Sequence, residues 1–113
     1  MNRRNRLRRA RDIFRVRTRG AKSVTPSLVL FAATGEGEAT RAAVPVSKRF
    51  GSAVRRNRLR RRVRESLRRE LAGLPGVLDI VALPRKRAVD ADSEELTAAV
   101  RRGLRQSQAR LVE

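Results

Sequence analysis

The chain has 113 residues, 29 Lys and Arg against 11 Asp and Glu, no Cys and no His, for a formal charge of +18. That length suits one domain, residues 1–113, with one modest core. The missing thiols and imidazoles exclude a disulfide framework, a thiolate metal site and the commonest general base near neutral pH. Charge of this size slightly opposes folding and speaks of partners, nucleic acid first and an anionic membrane second.

Residues 1–11 form a basic N-terminal segment. Residues 12–17 read as a short helix with Ile13 and Val16 on one side, and Gly20 is its stop. Thr25 and Pro26 break the chain, and residues 27–33 (SLVLFAA) are expected to form a buried strand. GEGE at 35–38 is a flexible connection. Residues 41–47 read as a second strand, where Pro45 implies an edge or a bulge. The next helix is expected from Ser52 or Ala53 to Leu71, because Leu59, Val63, Leu67 and Leu71 form a narrow apolar stripe. Gly73, Pro75 and Gly76 end it. Residues 79–83 (DIVAL) make a short strand stopped by Pro84. Asp92 caps a last helix, with Glu95 reaching back to it, and Leu96, Val100 and Leu104 give that helix an apolar side to about Ala109. Helix, two or three strands, helix, strand, helix is an α+β chain, an α/β sandwich with one small central sheet.

The charge is patterned. Residues 1–22 and residues 48–70 each carry a net +9, which accounts for the whole formal charge. Such concentration favours a defined binding surface over general solubility. RNRLRR occurs at 4–9 and again at 56–61, but the flanks do not match and a duplicated domain is not expected. Arg outnumbers Lys 26 to 3, which supplies planar donor forks suited to phosphate and to stacking on bases. On the second helix and the segment leading into it, Lys48, Arg49, Arg55, Arg56, Arg58, Arg60, Arg61, Arg64 and Arg68 surround Asn57, whose amide both donates and accepts. Arg58, Arg61 and Arg62 share a face, and Arg61, Arg64 and Arg68 continue a ridge able to follow a phosphate backbone. These residues are the expected RNA-binding set.

For catalysis the chain offers little. The carboxylates fall in loops, among arginines or at a helix start, and no phosphate-cradling glycine motif is present. Asp12 and Asp79 stand alone and read as structural. Phe14, Phe31 and Phe50 are the only aromatics; core packing is the first expectation for each, with base stacking open to Phe31 if it faces the open side of the sheet. No RNP-type aromatic pair argues for an RRM. No apolar run approaches a membrane span, and no hydrophobic signal region follows the basic N-terminus, so a cytoplasmic protein is expected.

The stretch VSKRFGSAVRRNRLRRRVRESL, residues 46–67, resembles the signature of the bacterial ribonuclease P protein component. The matching positions are Val46, Ser47, Lys48, Arg49, Gly51, Ala53, Val54, Arg56, Asn57, Arg58, Leu59, Arg60, Arg61, Arg64 and Glu65. The resemblance extends to RNRLRR near the start, Gly20, the LVLF strand, the DIV strand with Arg85, and the closing helix. It implies a sandwich with a left-handed βαβ crossover. It also implies a catalytic RNA subunit that removes the 5′ leader of precursor tRNA with Mg²⁺ held mainly by RNA, and a protein that binds that RNA and the leader. By position, Arg56, Asn57, Arg58, Arg60, Arg61 and Arg64 would face the RNA subunit, and Ile13, Val16, Arg17 and Phe31 would line the leader cleft. Relatives often carry aromatics where Ile13 and Arg17 stand here, and an apolar residue where Arg62 stands. Precursor tRNA and the RNA subunit are thus the implied partners, with neither membrane nor DNA among them. A small ribosomal or other non-enzymatic RNA-binding protein is the alternative that composition alone leaves open.

Overall fold

Nearly continuous apolar runs in LVLFAAT and LDIVALP build the two central strands of one mixed sheet, in a computed structural model that describes residues 3–74 and 76–112. Pro75, one of the expected helix stops, lies outside the described residues, as do residues 1–2 of the basic segment. Helix α1 spans Ala10–Arg19, longer at both ends than the expected 12–17. Asp12 sits in its first turn, where a negative charge complements the helix dipole. Gly20 ends it, its amide donating to the Val16 carbonyl at 2.8 Å. A Cβ on Gly20 would lie 2.4 Å from that oxygen and 2.9 Å from the Ala32 carbonyl, so only glycine lets the helix turn directly onto the sheet.

The sheet order is β1-β2-β4-β3, with β1 at Ala21–Val24, β2 at Leu28–Thr34, β3 at Arg41–Ala43 and β4 at Leu78–Pro84. β1 pairs antiparallel with β2, and β2 with β4. β3 runs parallel to β4. The optional third strand before the long helix is therefore present: it is β1, whose AKSV sequence is too short and polar to show a period. β3 is shorter than the expected 41–47. Pro45 has no N–H to give a ladder, and the strand lies at the sheet edge, as that proline implied.

Helix α2, Ala53–Leu71, is the crossover between β3 and β4. Gly51, at φ 110°, turns the chain into it. The Ser52 hydroxyl accepts from the Arg55 amide at 3.3 Å and caps it. Helix α3, Ser93–Val112, begins where Asp92 Oδ1 accepts from the Glu95 amide at 2.8 Å. The other half of the expected capping box does not form. The Glu95 carboxylate instead accepts from Ser27 and from both reachable nitrogens of Arg87.

The side chains of β2 and β4 alternate between two cores. Leu28, Leu30, Ala32, Ile80 and Ala82 pack against Leu59, Val63 and Leu67 of α2 and Leu96, Val100 and Leu104 of α3. On the other face Phe31, Ala33, Ala43 and Val81 pack against Val16 of α1 and Leu7. Leu7 belongs to the N-terminal segment, which runs along the free edge of β3. The Leu7 amide donates to the Ala42 carbonyl at 2.9 Å, and Asn5 Nδ2 donates to the Thr40 carbonyl at 2.9 Å. The basic segment thus covers a sheet edge that would otherwise stay open for pairing.

Candidate nucleic-acid interface

The helical period sorts the cations of α2. Leu59, Val63 and Leu67 are buried, Arg55, Asn57, Arg58 and Arg61 are exposed, and Arg56, Arg60 and Arg64 lie half-buried between them. Arg60 is held in place, donating Nε to the Val44 carbonyl at 3.2 Å and a terminal nitrogen to Asn57 Oδ1 at 2.6 Å. That bond orients the Asn57 amide and leaves its NH₂ group available to a ligand. Arg56 Nε and Arg64 Nε are buried without a hydrogen-bond partner. Burial, and then the nearby Arg6 and Arg60, lower the pKa of the Arg64 guanidinium.

Arg6 comes from the N-terminal segment. The bridge it forms with Ala42 carries it beside α2, where Arg6, Asn57, Arg60, Arg61, Arg64 and Glu65 line a cavity of about 340 Å³. Two charge blocks far apart in sequence therefore meet in space. Lys48 and Arg49 extend the surface, exposed on a 3-10 turn at Lys48–Phe50.

Two expectations on this helix need correction. Arg62 does not share the open face with Arg58 and Arg61: its guanidinium turns inward and donates to the carbonyls of Ala88, Val89 and Ala91. Those carbonyls lie in a turn packed beside α2, so the guanidinium is satisfied within the fold. The ridge through Arg64 also ends early, because Arg68 pairs with Glu65 at 2.5 Å, three residues back on the same face.

The opposite face of the sheet carries the second site. Val16 does not line a cleft: it is fully buried between α1 and the sheet. Phe31 is only 9% exposed and lies beneath Arg17 and Lys22, whose charged atoms stand 6.0 and 5.9 Å from its ring centroid. Ile13 is half-buried against the same cluster, and Arg17 is exposed. The open surface is instead the row Val24, Val29 and Leu83, side by side in register. Val24 is 51% exposed. Val24 also borders a groove with Thr25, Pro26, Arg85, Lys86 and Arg87. Lys22, Val24, Val29, Leu83, Arg85 and Lys86 were not in the expected set; recognising β1 as a strand would have pointed to the first two. Phe14 departs from the core expectation altogether, at 70% exposed.

Asp79 locks this face together. Fully buried, it accepts from Arg15 at 2.5 Å and from Arg41 at 3.1 and 2.9 Å. Burial alone would raise its pKa, but the hydrogen bonds from Arg41 and Arg15 outweigh it and hold the carboxyl below its usual range. The same contact raises the pKa of Arg41. Since Arg15 lies on α1, the pair fixes that helix to the sheet. Among the described residues no three Asp or Glu side chains converge as a metal-binding group.

A sheet sandwiched between helices, with cationic surfaces on two sides, defines an α+β protein built to meet a polyanion. The family profile described as Ribonuclease P matches residues 1–108. The ribonuclease P protein component of Chloroflexus aggregans is 38% identical over 108 residues, covering 95% of this chain and 80% of that protein. That of Brevibacillus brevis is 38% identical over 86 residues, covering 75% and 68%. The RNase P protein from Thermotoga maritima superposes with a TM-score of 0.73 at 31% identity, covering 86% of this chain and 96% of that one. The Staphylococcus aureus RNase P protein shares the fold, with a TM-score of 0.77 at 23% identity over 96% and 98%. The chain belongs to the ribonuclease P protein family: it is the protein subunit of a ribonucleoprotein endonuclease whose catalytic centre is RNA.

Proposed function

We propose that the two cationic surfaces serve two different RNAs. Helix α2, with the N-terminal segment and the turn at Lys48–Phe50, docks on the ribonuclease P RNA. The surface between α1 and the sheet receives the 5′ leader of precursor tRNA, through Ile13, Arg17, Lys22 and the row Val24, Val29 and Leu83. The RNA subunit then hydrolyses the phosphodiester bond that releases the leader. Cations placed between two polyanions lower the repulsion that Mg²⁺ would otherwise have to screen. The same reading places the protein in the cytoplasm, where precursor tRNA is made.

The meeting of Arg6 with Arg60 and Arg64 carries this proposal. A merely solvated charged helix has no reason to gather a further cation from another segment around a buried guanidinium Nε that has no partner. A phosphate backbone laid along the cavity balances that charge. The test is precursor tRNA cleavage by a cognate ribonuclease P RNA at low Mg²⁺, with and without the protein. Cleavage at the mature 5′ end that depends on the protein is expected; an unchanged RNA reaction would overturn the reading.

A further inference from the structure

We propose that a pocket at the start of α2 receives a single unstacked RNA base. The inference rests on the reading of α2 as an RNA-binding face. The pocket, about 260 Å³, is lined by Phe50, Leu59 and Val89 and by Arg55, Arg58 and Arg62. It lies on the helical side of the sheet, whereas the leader surface lies on the other.

Several observations converge on a base as occupant. Val89 is 52% exposed, an apolar side chain left open on the most cationic side of the molecule. Phe50 is half-buried, and the Arg49 guanidinium stands 5.3 Å from its ring centroid. The wall is tied in place, because Arg62 spends its guanidinium on the carbonyls of Ala88, Val89 and Ala91. Arg55 and Arg58 at the rim are exposed, and their side chains make no hydrogen bond or ion pair among the described residues. A hollow with an apolar floor and open guanidinium groups at its rim is complementary to one nucleotide: the flat base leaves water for the hollow and its phosphates meet the arginines. Bases released from a stack are held in this way on aromatic rings and guanidinium planes. A lipid surface would need a wide apolar face instead, and an apolar peptide side chain would leave the rim charges unmatched.

The test compares a hexaribonucleotide with an abasic strand of equal length and charge, binding to the full chain at low salt. Methyl NMR signals of Val89 and Leu59 report occupancy of the pocket. They are expected to shift with the base-bearing strand and not with the abasic one. Val89→Gln and Phe50→Leu should each reduce the affinity ratio of base-bearing over abasic strand by ~5-fold or more, the scale of one lost base contact. Val89 is half exposed, and Leu at 50 keeps an apolar contact, so neither change is expected to unfold the chain. Arg61→Ala, off the pocket, should weaken both strands together. If both strands move the Val89 signals alike, or the ratio is unchanged in both variants, the pocket does not bind a base although α2 still binds RNA. If neither strand binds, the RNA-binding reading of α2 falls with it.

Discussion

Asp79 shows how much one side chain decides. A lone aspartate at the start of an apolar strand reads as structural from sequence, and it is, but its partners were not legible. Arg15 and Arg41 reach it from 64 and 38 residues away, and nothing local to either arginine marks it among the other cations. Its lowered pKa means the folded state holds the carboxylate more strongly than the unfolded chain, where it titrates at its ordinary value. The resulting stability is fully present above that value and is lost as pH falls through the lower folded value. Asp79→Asn leaves Arg15 and Arg41 facing a neutral group and is expected to cost about 3 kcal/mol near pH 7, with a shallower loss of stability towards acid. Urea unfolding at pH 7 and near pH 3 checks this; a cost under ~1 kcal/mol at pH 7 would remove the lock. The opposite failure of legibility is Phe31 and Val16. Strand alternation shows that Phe31 leaves the face of its neighbours, but not that α1 and two cations lie over it.

At the scale of elements, α2 was readable from end to end because apolar residues four apart are separated only by charged or polar residues, mostly arginine, and Ser52 and Gly51 mark its entry. β1 was not, since a strand of four residues carries too few alternations to stand above chance, and β3 was expected as a strand but is shorter than 41–47. Both depend on what packs beside them. β1 is held from the α3 side as well, where Ser23 donates to the Gly103 carbonyl at 3.1 Å. The junction of α1 with β1 has the least room: Gly20→Ala would place its methyl against the Val16 and Ala32 carbonyls. Lifting α1 by that amount is expected to cost ~1–3 kcal/mol. A denaturant midpoint equal to the wild type would show that the helix does not need this close approach.

At the scale of the molecule, the two +9 blocks were visible as composition, but their convergence was not. It depends on the N-terminal segment lying along β3, a pairing made by the backbone at Arg6 and Leu7 and by the Asn5 amide rather than by any charged side chain. Fold and family could be read because the motif in residues 46–67 is dense; the open surface near α1 could not, because this chain lacks the aromatics that would mark it. Arg6 offers a test of the convergence. Arg6→Ala is expected to lessen the salt dependence of binding to ribonuclease P RNA, reducing the slope of log K against log[salt] by about 1. An unchanged slope would leave Arg6 without a phosphate partner.

The division of labour between the faces is tested most directly by one comparison: holoenzyme affinity for precursor tRNA with its leader and for the same tRNA without it. Val24→Asp puts a negative charge on an exposed position of the α1 side. It is expected to weaken the leader-bearing substrate roughly tenfold, ~1.4 kcal/mol, and to leave leaderless tRNA and assembly with the RNA subunit unchanged. The double variant Arg58→Ala and Arg61→Ala should do the reverse, weakening assembly while the assembled enzyme keeps its preference for a leader. Equal losses for both substrates in Val24→Asp, or a leader preference abolished by the α2 variant, would contradict two surfaces serving two RNAs.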